Sequence, residues 1–157
     1  MGIERRIATN QQSDIARRDL TANLHIGNGK PLMNIFLDID DTITYQPKFF
    51  SRLTHSFNDA QITVVTFRTD FESADACLKE LDIRYDKLIV STDPELGRKT
   101  DESLHQWKAG LVNRMKPDLF FEDMPEVVSL IDEDIAVFQP CDGIIRSWMR
   151  SQMRSAT

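Results

Sequence analysis

From residue 34 onward, short apolar runs alternate with longer amphipathic stretches, and this alternation constrains the fold more than any other feature of the sequence. Strands that alternate with helices are joined by right-handed crossovers, so they form a parallel sheet with helices on both faces. The chain is therefore predicted to adopt an α/β fold, a three-layer, Rossmann-like, doubly wound parallel sheet of about five strands. The predicted strands are 34–39, 61–67, 85–90, 118–121 and 135–138, and the predicted helices are 47–57, 71–81, 101–115, 124–131 and 143–153.

Residues 1–32 differ from the rest of the chain because they are polar, show no clear hydrophobic period and end in the loop-like cluster GNGKPL. We expect an N-terminal extension here, partly helical around residues 13–23 or disordered, followed by one folded domain at 33–157. A length of 157 residues suits one domain, and a hydrophobic content of 41% is typical of a globular protein.

The net charge of −6 is unevenly distributed, since most acidic residues lie within 34–142 and both ends are mildly basic. Nucleic-acid binding requires a concentrated positive face, so a general nucleic-acid binder is not expected, whereas small anions held by a metal remain compatible with this charge. Cys77 and Cys141 are too few for a disulfide scaffold and are interpreted as reduced thiols. No apolar run is long enough to span a membrane and the N-terminus lacks a secretory signal, so we expect a cytoplasmic protein that does not bind membranes.

Three carboxylates crowd the end of the first predicted strand, where Asp38, Asp40 and Asp41 follow the apolar run NIFL. Each close pair of carboxylates repels by roughly 1 kcal/mol near 4 Å even in water, so a compensating group is expected. Ligands of open α/β sheets bind beyond the carboxyl ends of the strands, which is where this cluster would lie. The alternative interpretation is a solvated acidic patch without function.

A second acidic pair, Glu122 and Asp123, follows the apolar run LFF. If the two strands are parallel neighbours, both acidic segments meet at one edge of the sheet. Hard oxygen ligands in that number suit Mg²⁺, which binds carboxylates, carbonyls and waters together with substrate phosphate. The alternative interpretation is that this pair caps a helix beginning near Met124.

Three further residues offer groups that bind phosphate. Thr66 lies near the end of the strand QITVVTF, Arg68 lies two residues after Thr66, and Lys108 lies in a predicted helix before Glu122. Such hydroxyl donors and cations stabilise the negative charge of a phosphoryl group. Two alternatives stay open, since Lys99 competes with Lys108 for this position and Arg68 fits a surface ion pair as well as a substrate contact.

Together these segments resemble the four motifs of the haloacid dehalogenase (HAD) superfamily. The segment DIDDT beginning at Asp38 is similar to the first motif, Thr66 to the second, Lys108 to the third and the Glu122-Asp123 pair to the fourth, in family order. The resemblance implies a HAD-like hydrolase domain at 33–157. The intervals between the motifs are too short for a full cap domain, so a capless member is expected.

The resemblance also implies residue roles. Asp38 would be the nucleophile that forms an aspartyl-phosphate, and Asp40 would donate a proton to the leaving alcohol and then accept one from water. Thr66 and Lys108 would hold the transferring phosphoryl group. Mg²⁺ would be bound by the Asp38 carboxylate and the Asp40 main-chain carbonyl, together with Asp123 and, directly or through water, Glu122. Thr42 is expected to bond the loop backbone.

The function implied by the resemblance is a Mg²⁺-dependent phosphatase that hydrolyses phosphomonoesters, with a nucleotide or another small phosphorylated metabolite as substrate. Nucleic acid is expected as a partner only through a phosphorylated end, and homo-oligomer formation is left open. The alternatives are a polynucleotide-end phosphatase, a non-enzymatic phospho-acceptor similar to a response-regulator receiver, and a HAD-like binding module without activity.

Overall fold

The computed structural model describes residues 33–140. The predicted N-terminal extension 1–32, the predicted helix 143–153 and Cys141 lie outside the described residues. The described elements are β1 (Met33–Leu37), a wide turn (Ile39–Ile43), α1 (Pro47–Ser56), β2 (Ala60–Thr66), α2 (Phe71–Glu80), β3 (Lys87–Val90), α3 (Leu104–Met115), β4 (Leu119–Phe121), α4 (Pro125–Val128) and β5 (Ala136–Phe138).

The five strands form one parallel sheet in the order β3-β2-β1-β4-β5, which confirms the predicted fold. The chain adds β2 and β3 on one side of β1 and then crosses to add β4 and β5 on the other side. The strand order therefore reverses between β1 and β4, and ligands of such sheets bind in the crevice at this position. Leu37 pairs with Phe121 across the two strands, so both strands end at the same level.

Helices pack on both faces of the sheet and give the three predicted layers. On one face, α1 and α2 cover apolar side chains of β1, β2 and β3, and on the other face α3 and α4 do so. Side chains alternate between the two faces along each strand. The fully buried residues of the first layer include Ile35, Leu37, Ile62, Val64, Ala74 and Leu78, and those of the second include Val65, Ile89, Val112, Phe120 and Val127.

Two predicted helices have the wrong bounds, and tertiary hydrogen bonds explain one of them. The helix predicted at 124–131 is confined to Pro125–Val128, because Asn113 of α3 donates to the Leu130 carbonyl and accepts from the Asp132 N–H, each at 2.9 Å. The helix predicted at 101–115 begins only at Leu104. There Ser103 and Gln106 form a reciprocal capping box, with bonds of 3.1 and 3.2 Å.

No inserted domain interrupts the described part of the chain. Only the turn, α1 and β2 separate the first two predicted motifs, and only α2, β3 and a loop precede α3. Among the helices of residues 33–140, none combines the length and apolar character that a membrane crossing requires.

Candidate active site

The candidate site lies at the carboxyl ends of β1 and β4, where the strand order reverses. Asp38 follows β1 and is 4% exposed, whereas Glu122 follows β4 and is 1% exposed. The Asp38 N–H donates to the Phe121 carbonyl at 3.0 Å, which holds the two strand ends together. The sheet thus brings the two acidic segments side by side in a buried position.

Lys108 reaches this position from α3 and bridges the two acids. Its Nζ donates to Asp38 Oδ1 at 2.6 Å and to Glu122 Oε2 at 2.9 Å. The same atom lies 4.1 Å from the centre of the Phe67 ring, and the whole side chain is 1% exposed. Lysine is almost never buried without a charged partner, so these contacts are what allows Lys108 to occupy the interior. Lys99, the competing lysine, is exposed in the loop before α3.

The cluster holds more negative than positive charge, and its burial raises the pKa of both acids. Burial raises the pKa of Asp38 to about 7, against the opposing effect of the Lys108 charge. Burial also raises the pKa of Glu122, again against Lys108. For Lys108 itself, burial alone would lower the pKa, but the two carboxylates outweigh it and raise that pKa. A further cation would therefore stabilise the ionised cluster.

Asp123 completes a set of carboxylates that fits a divalent cation. Asp38, Glu122 and Asp123 each offer one carboxylate oxygen, and these three atoms lie within 4.8 Å of one another. Thr42 Oγ1 donates to Asp123 Oδ1 at 3.2 Å and so orients this side chain. The donor set is composed of hard oxygen atoms in a cluster that holds more negative than positive charge. This cluster could bind a metal ion.

Glu122 also contacts Met124, the residue before the short helix α4, whose start has no side-chain capping bond. Glu122 Oε1 accepts from the Met124 N–H at 3.1 Å, while Oε2 accepts from Lys108. A bond before the helix does not require a buried lysine, so it does not account for the second contact. Glu122 therefore has both its oxygens engaged by donors of the chain.

Asp40 pairs with Arg68 at the more exposed side of the site. Arg68 Nη2 donates to Asp40 Oδ1 at 2.6 Å, and Nε donates to Oδ2 at 3.0 Å, which makes the pair bidentate. The side chains are 26% and 54% exposed, respectively. Of the two possibilities open for Arg68, the structure shows the ion pair, and its partner is the acid predicted to transfer protons.

The backbone around Asp40 forms the wide turn that follows β1. Asp41 adopts φ 58°, a left-handed conformation that favours glycine but that aspartate tolerates better than most residues. Its N–H donates to Thr44 Oγ1 at 2.9 Å, which supports this conformation. The turn thereby places the Asp40 carboxylate within reach of Arg68.

Thr66 lies at the end of β2, next to β1 in the sheet, and is fully buried. Its Oγ1 accepts from the Arg68 N–H at 3.2 Å, so its own proton can be donated to another group. The Arg68 carbonyl accepts from the Ser91 N–H at 2.9 Å, which ties this loop to the end of β3.

We expect Arg68→Ala to change the free energy of unfolding by less than about 1 kcal/mol, because its ion pair is largely solvated. Arg84→Ala is the contrasting variant: its guanidinium donates to three main-chain carbonyls between α1 and β2 at 3.2–3.3 Å. Removing it should cost about 1–3 kcal/mol, since these acceptors lose a charged donor. Urea unfolding of both variants measures the difference. Equal costs would contradict the assignment of Arg68 to a surface pair.

Two contacts of the site were not predicted from the sequence. Thr42 was expected to bond the loop backbone, which is wrong, since its hydroxyl donates to Asp123 across the site. Phe67 was not assigned any role, yet its ring lies against Lys108. Both lie next to a predicted motif residue, and their direction is visible only once the strands are placed in the sheet.

The comparisons with known proteins bear on the fold. The sequence matches no protein-family model and no curated protein. Among solved structures, the chain is similar to a chain in a structure of the Pnkp1/Rnl/Hen1 complex, at 14% identity and a TM-score of 0.54, covering 73% of this chain and 47% of that one. It is also similar to a chain in a structure of the Pnkp1/Rnl/Hen1 RNA repair complex, at 14% identity and a TM-score of 0.52, covering 73% and 44%. The chain thus spans less than half the length of these proteins, and at this identity the likeness establishes a shared parallel α/β fold alone.

Proposed function

We propose that this protein is a Mg²⁺-dependent phosphatase that hydrolyses phosphomonoesters through an aspartyl-phosphate on Asp38. The observation that carries the proposal is the buried cluster in which Lys108 bridges Asp38 and Glu122 beside Asp123. A structural ion pair would need one carboxylate for one ammonium, whereas this cluster has an excess of acid in a crevice of the sheet. The resemblance of the four segments to the HAD motifs supports the same assignment.

Asp38 is suited to act as the nucleophile. Its carboxylate lies at the end of a rigid central strand, and Lys108 favours the ionised form that attack on phosphorus requires. In the proposed step, a bond forms between the Asp38 carboxylate and phosphorus, and the bond from phosphorus to the leaving alcohol breaks. Water then hydrolyses the aspartyl-phosphate and restores Asp38.

Asp40 is proposed to move the protons in these two steps. It would protonate the leaving oxygen and later accept a proton from the attacking water. The Asp40–Arg68 pair has to open for this role, because both oxygens of the Asp40 carboxylate accept hydrogen bonds from the guanidinium. A phosphate oxygen of the substrate would attract the guanidinium of Arg68 and release Asp40.

Lys108 and Thr66 are proposed to bind the transferring group. The ammonium of Lys108 would contact a phosphoryl oxygen after giving up part of its bond to Asp38, and the Thr66 hydroxyl would donate to another oxygen. The Phe67 ring lies 4.1 Å from Lys108 Nζ and makes the surroundings of the ammonium less polar. Fixed donors in such a site stabilise the charge of a transferring phosphoryl group.

The residues that would hold Mg²⁺ are Asp38 and Asp123 through their carboxylates and Asp40 through its main-chain carbonyl. Glu122 would act through water, since both of its oxygens accept hydrogen bonds from the chain. A divalent ion there would supply positive charge to the phosphate and to the acidic cluster.

The test is hydrolysis of p-nitrophenyl phosphate with Mg²⁺, with EDTA and with the variant Asp38→Asn. We expect turnover with Mg²⁺, its loss in EDTA, and a fall of at least about 10³-fold in kcat for the variant, because a missing nucleophile removes the covalent step. Asp59→Asn is the matched control, because it makes the same substitution at an exposed acid in the loop between α1 and β2. Full activity of Asp38→Asn would refute the mechanism.

A second candidate function is a phosphatase for polynucleotide ends. The observation in its favour is the similarity of the fold to chains in Pnkp1/Rnl/Hen1 structures, one of them described as an RNA repair complex. The acidic character of the chain disfavours tight binding along a nucleic-acid backbone but is compatible with a terminal phosphate.

A non-enzymatic phospho-acceptor is the remaining alternative. Binding of BeF₃⁻ at Asp38 without hydrolysis of any phosphate ester would support that function instead of a phosphatase.

A further inference from the structure

A groove of about 300 Å³ opens at the carboxyl edge of the sheet, beside the ends of β4 and β5. Its walls come from the segment before α1 and the first turn of α1, from the last residue of each of these strands and from the residues after β5. Ligand pockets begin at about 300 Å³, so the groove suits a single ring-bearing group. The lining of the groove includes Tyr45, Gln46, Phe49, Phe121, Phe138 and Gln139.

The walls of this groove are aromatic and accessible. Phe138 stacks on Phe121 with ring centres 5.3 Å apart and 24° between the ring planes, and Phe49 lies 6.4 Å from Phe121. Phe49 and Phe138 are nevertheless 50% and 52% exposed. Large aromatic side chains gathered at the surface mark binding sites more often than single exposed apolar residues do.

Two residues that line the groove form hydrogen bonds with residues of the candidate active site. Gln139 Nε2 donates to the Asp123 carbonyl at 2.6 Å, and the Phe121 carbonyl accepts from the Asp38 N–H at 3.0 Å. The residues that form the groove therefore also hold the nucleophile and a proposed metal ligand. These contacts place the groove beside the candidate site, where it would receive the remaining part of a substrate whose phosphate lies at Asp38.

The chemistry of the lining limits what can bind there. Among residues 33–140, none of those that line the groove has a charged side chain, so this part of the lining offers no cation to a second phosphate. The polar groups are the amides of Gln46 and Gln139 and the hydroxyl of Tyr45. Aromatic faces with a few amide groups suit a flat, uncharged heterocycle that both stacks and forms hydrogen bonds.

We infer that this groove binds the base of a nucleoside phosphate whose phosphate group is hydrolysed at Asp38. The inference rests on the proposed phosphatase function and narrows its substrate class. In the overall reaction water cleaves the phosphorus–oxygen bond, and the nucleoside leaves with its hydroxyl group while inorganic phosphate is released. Two kinds of molecule carry such a nucleoside phosphate: a free mononucleotide and the terminal nucleotide of a nucleic-acid chain.

The experiment compares adenosine 5′-monophosphate with ribose 5-phosphate, which is the same ester without a base. Wild-type protein should favour the nucleotide by about ten- to hundred-fold in kcat/KM, the range that stacking of one base provides. Phe138→Ala should remove most of this preference through KM, so that the ratio of kcat/KM for the two esters falls towards one, and Phe138→Trp should restore the ratio. Phe71→Ala is the control, because Phe71 is 49% exposed on α2 and is not part of the groove.

The possible outcomes separate this inference from the proposed function. If both esters are hydrolysed equally and Phe138→Ala behaves as Phe71→Ala does, the groove is not a base site although the phosphatase function stands. If neither ester is hydrolysed, binding of adenosine alone, measured by saturation-transfer NMR, decides: binding lost in Phe138→Ala supports the groove, and no binding overturns it. A short oligonucleotide with a terminal phosphate, compared with the mononucleotide, distinguishes the two sources.

Discussion

Replacing Lys108 with methionine is expected to lower the free energy of unfolding of the metal-free protein by about 3–5 kcal/mol at pH 8. Methionine keeps most of the side-chain volume, so the loss reports on charge rather than on a cavity. The variant leaves Asp38 and Glu122 buried without the ammonium group that now lies within 2.9 Å of both. An uncompensated buried carboxylate must either be protonated or draw water into the site, and both cost stability.

Urea unfolding in EDTA measures this effect, with Lys99→Met as the matched control. Lys99 is exposed in the loop before α3, so its loss should change the free energy of unfolding by less than about 0.5 kcal/mol. The cost for Lys108→Met should shrink at pH 5, because burial raises the pKa of both acids and they become neutral there more readily. Equal effects of the two lysine variants would show that the bridge does not contribute to stability.

A second variant isolates the pairwise part of this cost. Adding Glu122→Gln to Lys108→Met removes one of the two acids that the lysine compensates, so the double variant should be more stable than the sum of the single effects predicts. Additive losses would mean that Lys108 and Glu122 act independently despite their contact of 2.9 Å.

The positions of the strands could be predicted because local sequence and tertiary environment agree there. β2 is a run of β-branched residues that is buried on both faces, and such a run fits a central parallel strand better than a helix. The convergence of Asp38 and Glu122 followed from the same logic, since residues after parallel strands share one edge of the sheet. Lys108 lies on α3, and its position in the site was expected from its spacing before Glu122 and from the resemblance to the HAD motifs.

What could not be predicted depends on contacts between elements that are distant in sequence. The end of α4 is set by Asn113, which belongs to α3, so no local pattern marks it. The Thr42 bond to Asp123 and the stacking of Phe138 on Phe121 likewise require the spacing of neighbouring strands. The ion pair between Asp40 and Arg68 was not predicted either, because the geometry of the turn after β1 decides which cation the exposed Asp40 carboxylate contacts.

The substitution Asp38→Asn is expected to stabilise the metal-free protein at the same time as it removes activity. Burial raises the pKa of Asp38 from 3.8 to about 7, so the folded state binds a proton that the unfolded chain has released. Where the folded state binds more protons, stability falls as pH rises, here between about pH 4 and pH 7. Asparagine does not ionise and leaves Lys108 with Glu122 as a balanced pair.

We therefore expect Asp38→Asn to raise the free energy of unfolding by about 1–3 kcal/mol at pH 8 and by little at pH 4, where the native carboxyl is already protonated. The measurement is urea unfolding in EDTA across this pH range, with Asp59→Asn as the control that removes an exposed charge. Mg²⁺ should reverse the order at pH 8, because it would stabilise the wild-type cluster more than a cluster that lacks one carboxylate. The contrary outcome is an Asp38→Asn variant that is less stable than wild type at every pH, with or without Mg²⁺. It would mean that the Asp38–Lys108 pair stabilises the fold. The excess of acid would then give no reason to assign a metal to this site.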